Sequence, residues 1–243
     1  MKTNYKHSLI MAATGVILAS PAFALTPFSD NFNASGINKA RWVQKAGGKG
    51  KLTQAAGRIN FTVASPATDD DYGLLELRNN RPGFNESWQV ILDVRNNAGQ
   101  GDEVGTGIHI YNAADPNDNV NLEFYGSGAN GGFNFIGVTD DVDDPRLDVR
   151  ANPKVTKGSL RVSFSKTTKL FTFWYDSTGS ADGFQWKKLC TFSPTGSGGT
   201  RRGNWKLNAG SGSFGVLIFG YGEFQTVASG KVQMDNFVLK ASN

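Results

Sequence analysis

The sequence predicts an all-β fold in which two antiparallel sheets pack face to face. Three observations carry that prediction. Apolar residues recur at every second position in short runs, the runs are bounded by clusters of Gly, Asn, Asp, Ser and Pro, and helical spacing is scarcely present. Thirty glycines, in pieces such as Gly131-Gly132, Gly198-Gly199 and Gly210-Ser211-Gly212, suit turns that require positive φ.

The first 24 residues stand apart from this pattern. Lys2 and Lys6 form a basic start, Leu9 to Ala19 an apolar stretch, and Ala22-Phe23-Ala24 a small-x-small site, the features of an export signal cleaved near Ala24. An apolar stretch of about 11 residues is too short for a bilayer, which needs about 20. No later stretch is long and apolar enough to span. The mature chain is therefore expected to be exported, to the periplasm or beyond, without a transmembrane segment. Residues 25–243 read as one domain, because sandwiches of about 200–250 residues commonly form single domains and neither a repeat nor a linker divides this one.

The strands follow in order. Ile59, Phe61 and Val63 alternate with Arg58, Asn60 and Thr62, and a further strand is expected over Tyr72–Leu77. Trp88, Val90, Leu92 and Val94 alternate with Gln89, Ile91, Asp93 and Arg95. Thr106–Tyr111 comes next. Val120, Leu122 and Phe124 oppose Asn121, Glu123 and Tyr125, and Phe133–Val138 continues the series. Leu160, Val162 and Phe164 oppose Arg161, Ser163 and Ser165. Leu170–Asp176, Phe184–Phe192, Ser213–Tyr221 and Lys231–Lys240 complete about a dozen strands, a number that splits into two layers about 10 Å apart. Ser193–Gly212 reads as a loop. Trp88 and Trp186 fall on the apolar phase of their strands and are assigned to the core.

Charge and residue counts exclude several chemistries. The chain carries 25 basic and 21 acidic residues; without Lys2 and Lys6 the balance is 23 to 21, a net +2, and the cations are scattered. A nucleic-acid partner is not expected, because phosphate tracking needs clustered Lys and Arg. The lone cysteine, Cys190, forms no intramolecular disulfide and reads as a small core residue. His109 is the one histidine outside the leader, so the usual zinc sets cannot be assembled, and no Gly-x-Ser-x-Gly elbow accompanies it. The glycine-rich pieces lie between strands rather than opening helices, so they do not cradle phosphate.

Several fragments resemble the concanavalin A-like lectin/glucanase superfamily, whose members are jelly-roll sandwiches. They are Phe28-Ser29-Asp30-Asn31-Phe32 with Arg41-Trp42, the stretch Ala55 to Phe61, Trp174-Tyr175-Asp176 leading to Asp182 through Leu189, and the ending Met234 to Leu239. The resemblance implies a jelly roll and a glycan as ligand or substrate. It also nominates Asp30 and Asp235 for a structural calcium joining the first and last strands. The acidic groups Asp69-Asp70-Asp71, Asp115 to Asn119, and Asp140-Asp141 with Asp143-Asp144 supply further oxygen donors but no EF-hand loop.

Two enzymatic patterns of such folds can be compared with the residues present. The Glu-x-Asp-x-Glu strand of retaining glucanases is absent, and the five glutamates, Glu76, Glu86, Glu103, Glu123 and Glu223, are spread along the chain. Leu74-Leu75-Glu76-Leu77-Arg78 and Gly107-Ile108-His109 partly resemble two strands of alginate lyases. Leu74 and Gly107 replace the arginine and glutamine of that pattern, and its late tyrosine strand is missing. A lyase would draw on His109 with Tyr111 or Tyr125, and a lyase or hydrolase on His109, Tyr111 and Glu123.

The expected ligand patch follows from alternation. Asp93 and Arg95, then His109 and Tyr111, then Asn121, Glu123 and Tyr125, occupy the polar phase of three successive strands. If those strands are neighbours, the seven residues form one surface of aromatic rings and hydrogen-bonding groups suited to sugars. The expected function is a non-catalytic carbohydrate-binding or surface-interaction protein, with a polysaccharide lyase or glycoside hydrolase as the alternative.

Overall fold

A computed structural model describes residues 25–65, 67–69, 71–99, 103–126, 131–139, 142–143, 149–196, 201–207 and 212–242. The expected leader, Asp70, Asp140, Asp141, Asp144 and parts of the loop expected over Ser193–Gly212 lie outside these residues. In chain order the strands begin with β1 (Phe28–Asp30), β2 (Trp42–Gly47), β3 (Gly50–Ala55), β4 (Arg58–Val63), β5 (Asp71–Leu77) and β6 (Trp88–Asn96). There follow β7 (Val104–Asn112), β8 (Asp115–Tyr125), β9 (Gly132–Thr139), β10 (Val142–Asp143), β11 (Val149–Ala151) and β12 (Lys157–Ser165). The series ends with β13 (Leu170–Asp176), β14 (Lys187–Ser193), β15 (Arg201–Arg202), β16 (Phe214–Gly222) and β17 (Val227–Ala241). A single 3-10 turn, Ser180–Asp182, interrupts the strand pattern among the described residues.

The strands form two sheets. One runs β15-β14-β13-β12-β6-β17-β4-β3, with β1 continuing the line of β4 along β17; the other runs β10-β9-β8-β7-β16-β5-β2, with β11 beside β9. All pairs are antiparallel except β14 with β15. This is the predicted sandwich; the strand expected over Phe184–Phe192 starts only at Lys187, and β1, β2, β3, β10, β11 and β15 are additional to the predicted ones.

The core between the sheets is aromatic. Trp88, Phe164, Phe171 and Phe214 are buried and meet with ring centroids 5.0–5.8 Å apart, while Phe135 and Phe173 approach to 4.4 Å. Such pairs contribute about 0.5–1.5 kcal/mol each beyond the area they bury. The β3–β4 hairpin turns on Ala56 (φ 52°) and Gly57 (φ 71°), the double left-handed conformation whose twist matches antiparallel strands. Cys190 is buried as expected, and desolvation pushes its thiol up to about 12, against a weaker pull from Arg201 and Lys188. A thiolate does not form there at neutral pH.

Candidate functional site

The outward face of the eight-stranded sheet sets tyrosines beside glycines on neighbouring strands. Following the register across the sheet, one row reads Gly47, Tyr72, Tyr221, Gly105, Tyr125 and Gly132, from β2 to β9. In a further row Gly215 lies opposite Tyr111. The tyrosine rings lie down across the glycines: a side-chain carbon at Gly47, Gly105, Gly132 or Gly215 would overlap Tyr72, Tyr221, Tyr125 or Tyr111 respectively. Glycine is needed at these places because any Cβ would lift the ring off the sheet. The result is a floor of flat rings rather than a brush of upright side chains.

Two polar rows cross the same face. The first runs Lys45, Leu74, Phe219, Gly107, Glu123, Asn134 and Arg150, with a cation at each end about 29 Å apart at the usual strand spacing. The second runs Val43, Glu76, Leu217, His109, Asn121 and Ile136. His109 is 3% exposed although it points away from the sandwich core. Its Nδ1 donates to Oδ1 of Asn121 at 2.6 Å, which leaves Nε2 as an acceptor. Burial lowers its pKa to about 4, against smaller opposing effects of Asn121 and Glu76, so the ring is neutral at pH 7.

Glu76 anchors one side of the face, on the strand next to β2 at the sheet edge. Burial alone would raise its pKa, but the Tyr111 hydroxyl, Lys45 and Arg81 together hold it below the ordinary carboxylate range. Tyr111 donates a short hydrogen bond to Oε1, Lys45 Nζ lies 3.0 Å from Oε2 and Arg81 3.4 Å from Oε1. Burial, then the bond to Glu76 and its charge, push the Tyr111 hydroxyl above its ordinary pKa. Glu123 accepts from the Tyr221 hydroxyl at 3.4 Å. Asn134, opposite Glu123, has its Oδ1 buried with no hydrogen-bond partner among the described residues.

His109, Tyr111, Asn121, Glu123 and Tyr125 are thus brought together on one face, as the alternation implied. Asp93 and Arg95 are not. Their strand, β6, lies between β12 and β17 in the other sheet, so the expected seven-residue patch is split. Asp93 there accepts hydrogen bonds from Ser159, from Ser180 at 2.5 Å and from Asn236 at 2.9 Å, a structural role in the turn around β13 and β17. Arg95 is exposed near the end of its strand.

Asp30 and Asp235 do not lie opposite each other where the first and last strands pair. Asp30 accepts from the Phe32 backbone at 2.8 Å and from Trp42 Nε1 at 2.9 Å, and it lies opposite Phe237 rather than Asp235. Asp235 faces Asp93 across the sheet and lies 3.6 Å from Arg58. Among the described residues no three His, Cys, Asp or Glu side chains converge on a metal position. Asp71 instead organises its loop, accepting from the Lys49 and Thr68 backbone at 2.6 Å each and from the Thr68 hydroxyl at 2.9 Å.

Trp186 is also not a core residue. It is half-buried outside the sandwich, stacked on Phe184 at 4.7 Å. Sequence reasoning omitted Tyr72, Tyr221, Asn134, Lys45 and Arg81 from the site. Interior glycines in phase with strand tyrosines were the available signal, but only the register shows which ring covers which glycine.

No protein-family model and no curated protein matches the chain. Solved structures do. The xyloglucan PUL GH43B protein of Bacteroides ovatus aligns with 93% of this chain at 14% identity and TM-score 0.58; the chain spans 41% of that protein's length. A β-glucanase of Bacillus licheniformis aligns at 12% identity and TM-score 0.55, covering 89% of this chain and 98% of its own. The carbohydrate recognition domain of Emp47p gives 13% identity and TM-score 0.55, with coverages of 89% and 95%. Likeness at this identity establishes the fold alone, a two-sheet antiparallel jelly-roll sandwich of the concanavalin A-like type.

Proposed function

We propose that the chain is an exported carbohydrate-binding protein that holds a glycan across the tyrosine floor without cleaving it. The observation that carries this reading is the unpartnered Oδ1 of Asn134, a buried acceptor set among flat aromatic rings. Buried acceptors are nearly always satisfied, and a sugar hydroxyl is a donor of the right kind. Of the four rings Tyr72 keeps solvent contact and offers apolar surface to the C–H face of a pyranose, while Asn121, Lys45, Arg81 and Arg150 supply polar contacts at the margins. The Emp47p neighbour is described as a carbohydrate recognition domain, which agrees with this use of the fold.

Hydrolysis fits the site less well. Glu76 and Glu123 stand on β5 and β8 with two strands between them, a backbone separation of about 14 Å, and each carboxylate is already bonded to a tyrosine hydroxyl. A lyase would use Nε2 of His109 to accept the sugar C5 proton and Tyr111 to protonate the leaving oxygen. The Tyr111 proton is committed to Glu76, which weakens that alternative. Retention on a glycan array that falls on Asn121→Ala, without release of unsaturated or reducing-end products, supports binding. Depolymerisation of any retained glycan, abolished by His109→Gln, refutes the non-catalytic reading.

A further inference from the structure

The opposite face of the sandwich carries a second aromatic structure that the tyrosine floor does not use. On the outward side of the nine-stranded sheet, the Arg161 guanidinium lies 4.6 Å from the Trp174 ring centroid and 5.2 Å from that of Trp186. Trp186 is in turn stacked on Phe184 at 4.7 Å with 18° between the ring planes. The four side chains form a continuous stack. Phe184 at its end is 44% exposed, one of two large apolar side chains among the described residues with that much solvent contact.

Arg161 has no counter-ion among the described residues. Its Nε is buried without an acceptor, and no carboxylate lies within ion-pair distance of the guanidinium. Guanidinium stays charged under these conditions, and clamping it between two indoles orients its N–H fork without satisfying it. Lys188 lies opposite Trp174 in the register, exposed beside Lys187, and adds positive charge on the same edge. A strand-long run of cations is missing, so the patch does not track a phosphate backbone.

We propose that this stack is a second glycan site, specific for a sugar ring bearing a negative group, with Phe184 and Trp186 stacking on the ring and Arg161 pairing with its carboxylate or sulfate. The ligand class rests on the glycan reading above; the position of the site does not. With sites on opposite faces, one molecule bridges two glycan chains.

The tryptophans make the site separately readable. Trp42, Trp88 and Trp205 are buried, whereas Trp174 and Trp186 have solvent contact and the tyrosine floor contains no tryptophan. Indole emission of the full chain is followed during titration with an oligogalacturonate, a sulfated galactan oligosaccharide and a neutral glucan oligosaccharide. An emission change with one or both acidic probes and none with the neutral one is expected, and the responding probe distinguishes carboxylate from sulfate. Arg161→Gln should weaken the binding about tenfold or more and Phe184→Ala about fivefold, with unfolding midpoints unchanged for Phe184→Ala. The response should persist in Asn121→Ala, which lies on the other face. An equal response to the neutral probe, unaltered affinity in both variants, tighter binding of oligothymidylate, or glycan retention with no indole response overturns the second site. In the last case, loss of retention on Asn121→Ala leaves the tyrosine-floor reading intact.

Discussion

Replacing Asn134 with leucine separates stability from binding in a way that few substitutions would. Asn134 is buried on the outward face of β9 and its Oδ1 has no partner among the described residues. A buried acceptor left unsatisfied costs about 1–3 kcal/mol, and an apolar side chain of similar volume removes that cost. Asn134→Leu should therefore leave the protein as stable as the parent or more stable by about 1 kcal/mol, which for a chain of this size raises the melting temperature by roughly 2–4 °C. Retention of the glycan should fall at the same time. Loss of one neutral hydrogen bond, about 0.5–1.5 kcal/mol, corresponds to roughly a two- to twelvefold weaker dissociation constant. Urea denaturation and affinity electrophoresis on the same preparations measure both quantities. A variant destabilised by more than about 1 kcal/mol with retention unchanged would show that Asn134 is satisfied within the fold, and the reasoning would fail.

Two other outcomes follow from the charges on the same face. Tyr111→Phe removes a donor from the Glu76 carboxylate, leaving Lys45 and Arg81, and should destabilise by about 1.5–3 kcal/mol at pH 7. Because the folded-state pKa of Glu76 is depressed, that contribution is present above the unfolded carboxylate range and lost as pH falls through the folded value; equal parent-to-variant gaps at pH 7 and in strong acid would contradict it. His109 also has a depressed folded pKa, about 4 against 6.5, so the unfolded chain binds the proton first. Stability should then be lost as pH drops from about 6.5 to about 4, by up to about 3 kcal/mol, and His109→Gln should flatten that slope. Parallel urea midpoints for parent and variant over that window would show that the imidazole is not the cause.

Much of the fold could be read in advance because alternation is a local property. The run Trp88–Arg95 displays its buried and polar phases without reference to any other strand, and β6 forms there. What alternation cannot reveal is which sheet a strand joins. The polar phases of β6, β7 and β8 look alike in sequence, yet the chain crosses between layers after β6, which separates Asp93 and Arg95 from His109 and Tyr111. Parity also fails where a strand carries a bulge. Cys190 pairs with Phe173 and Lys188 with Trp174, so β14 holds one extra residue at Leu189. That extra residue inverts the phase, and Trp186, in step with core positions by counting, emerges outside.

The two outward faces differ for a reason that lies in their glycines. On the eight-stranded sheet, interior glycines let tyrosine rings lie flat across neighbouring strands, so polar groups such as His109 and Glu123 become buried without leaving the surface layer. Low exposure there raises the cost of every unmet hydrogen bond and makes a bound hydroxyl correspondingly favourable. On the nine-stranded sheet Arg161 lies between Ile91 and Trp174 in the register, and its guanidinium is held between the rings of Trp174 and Trp186. A flat floor with a neutral imidazole suits hydroxyl-rich ligands, whereas an upright stack around an unpaired guanidinium suits a charged one. The same β-sandwich thus presents two surfaces of different chemistry, and the placement of small residues within the strands decides which surface is which.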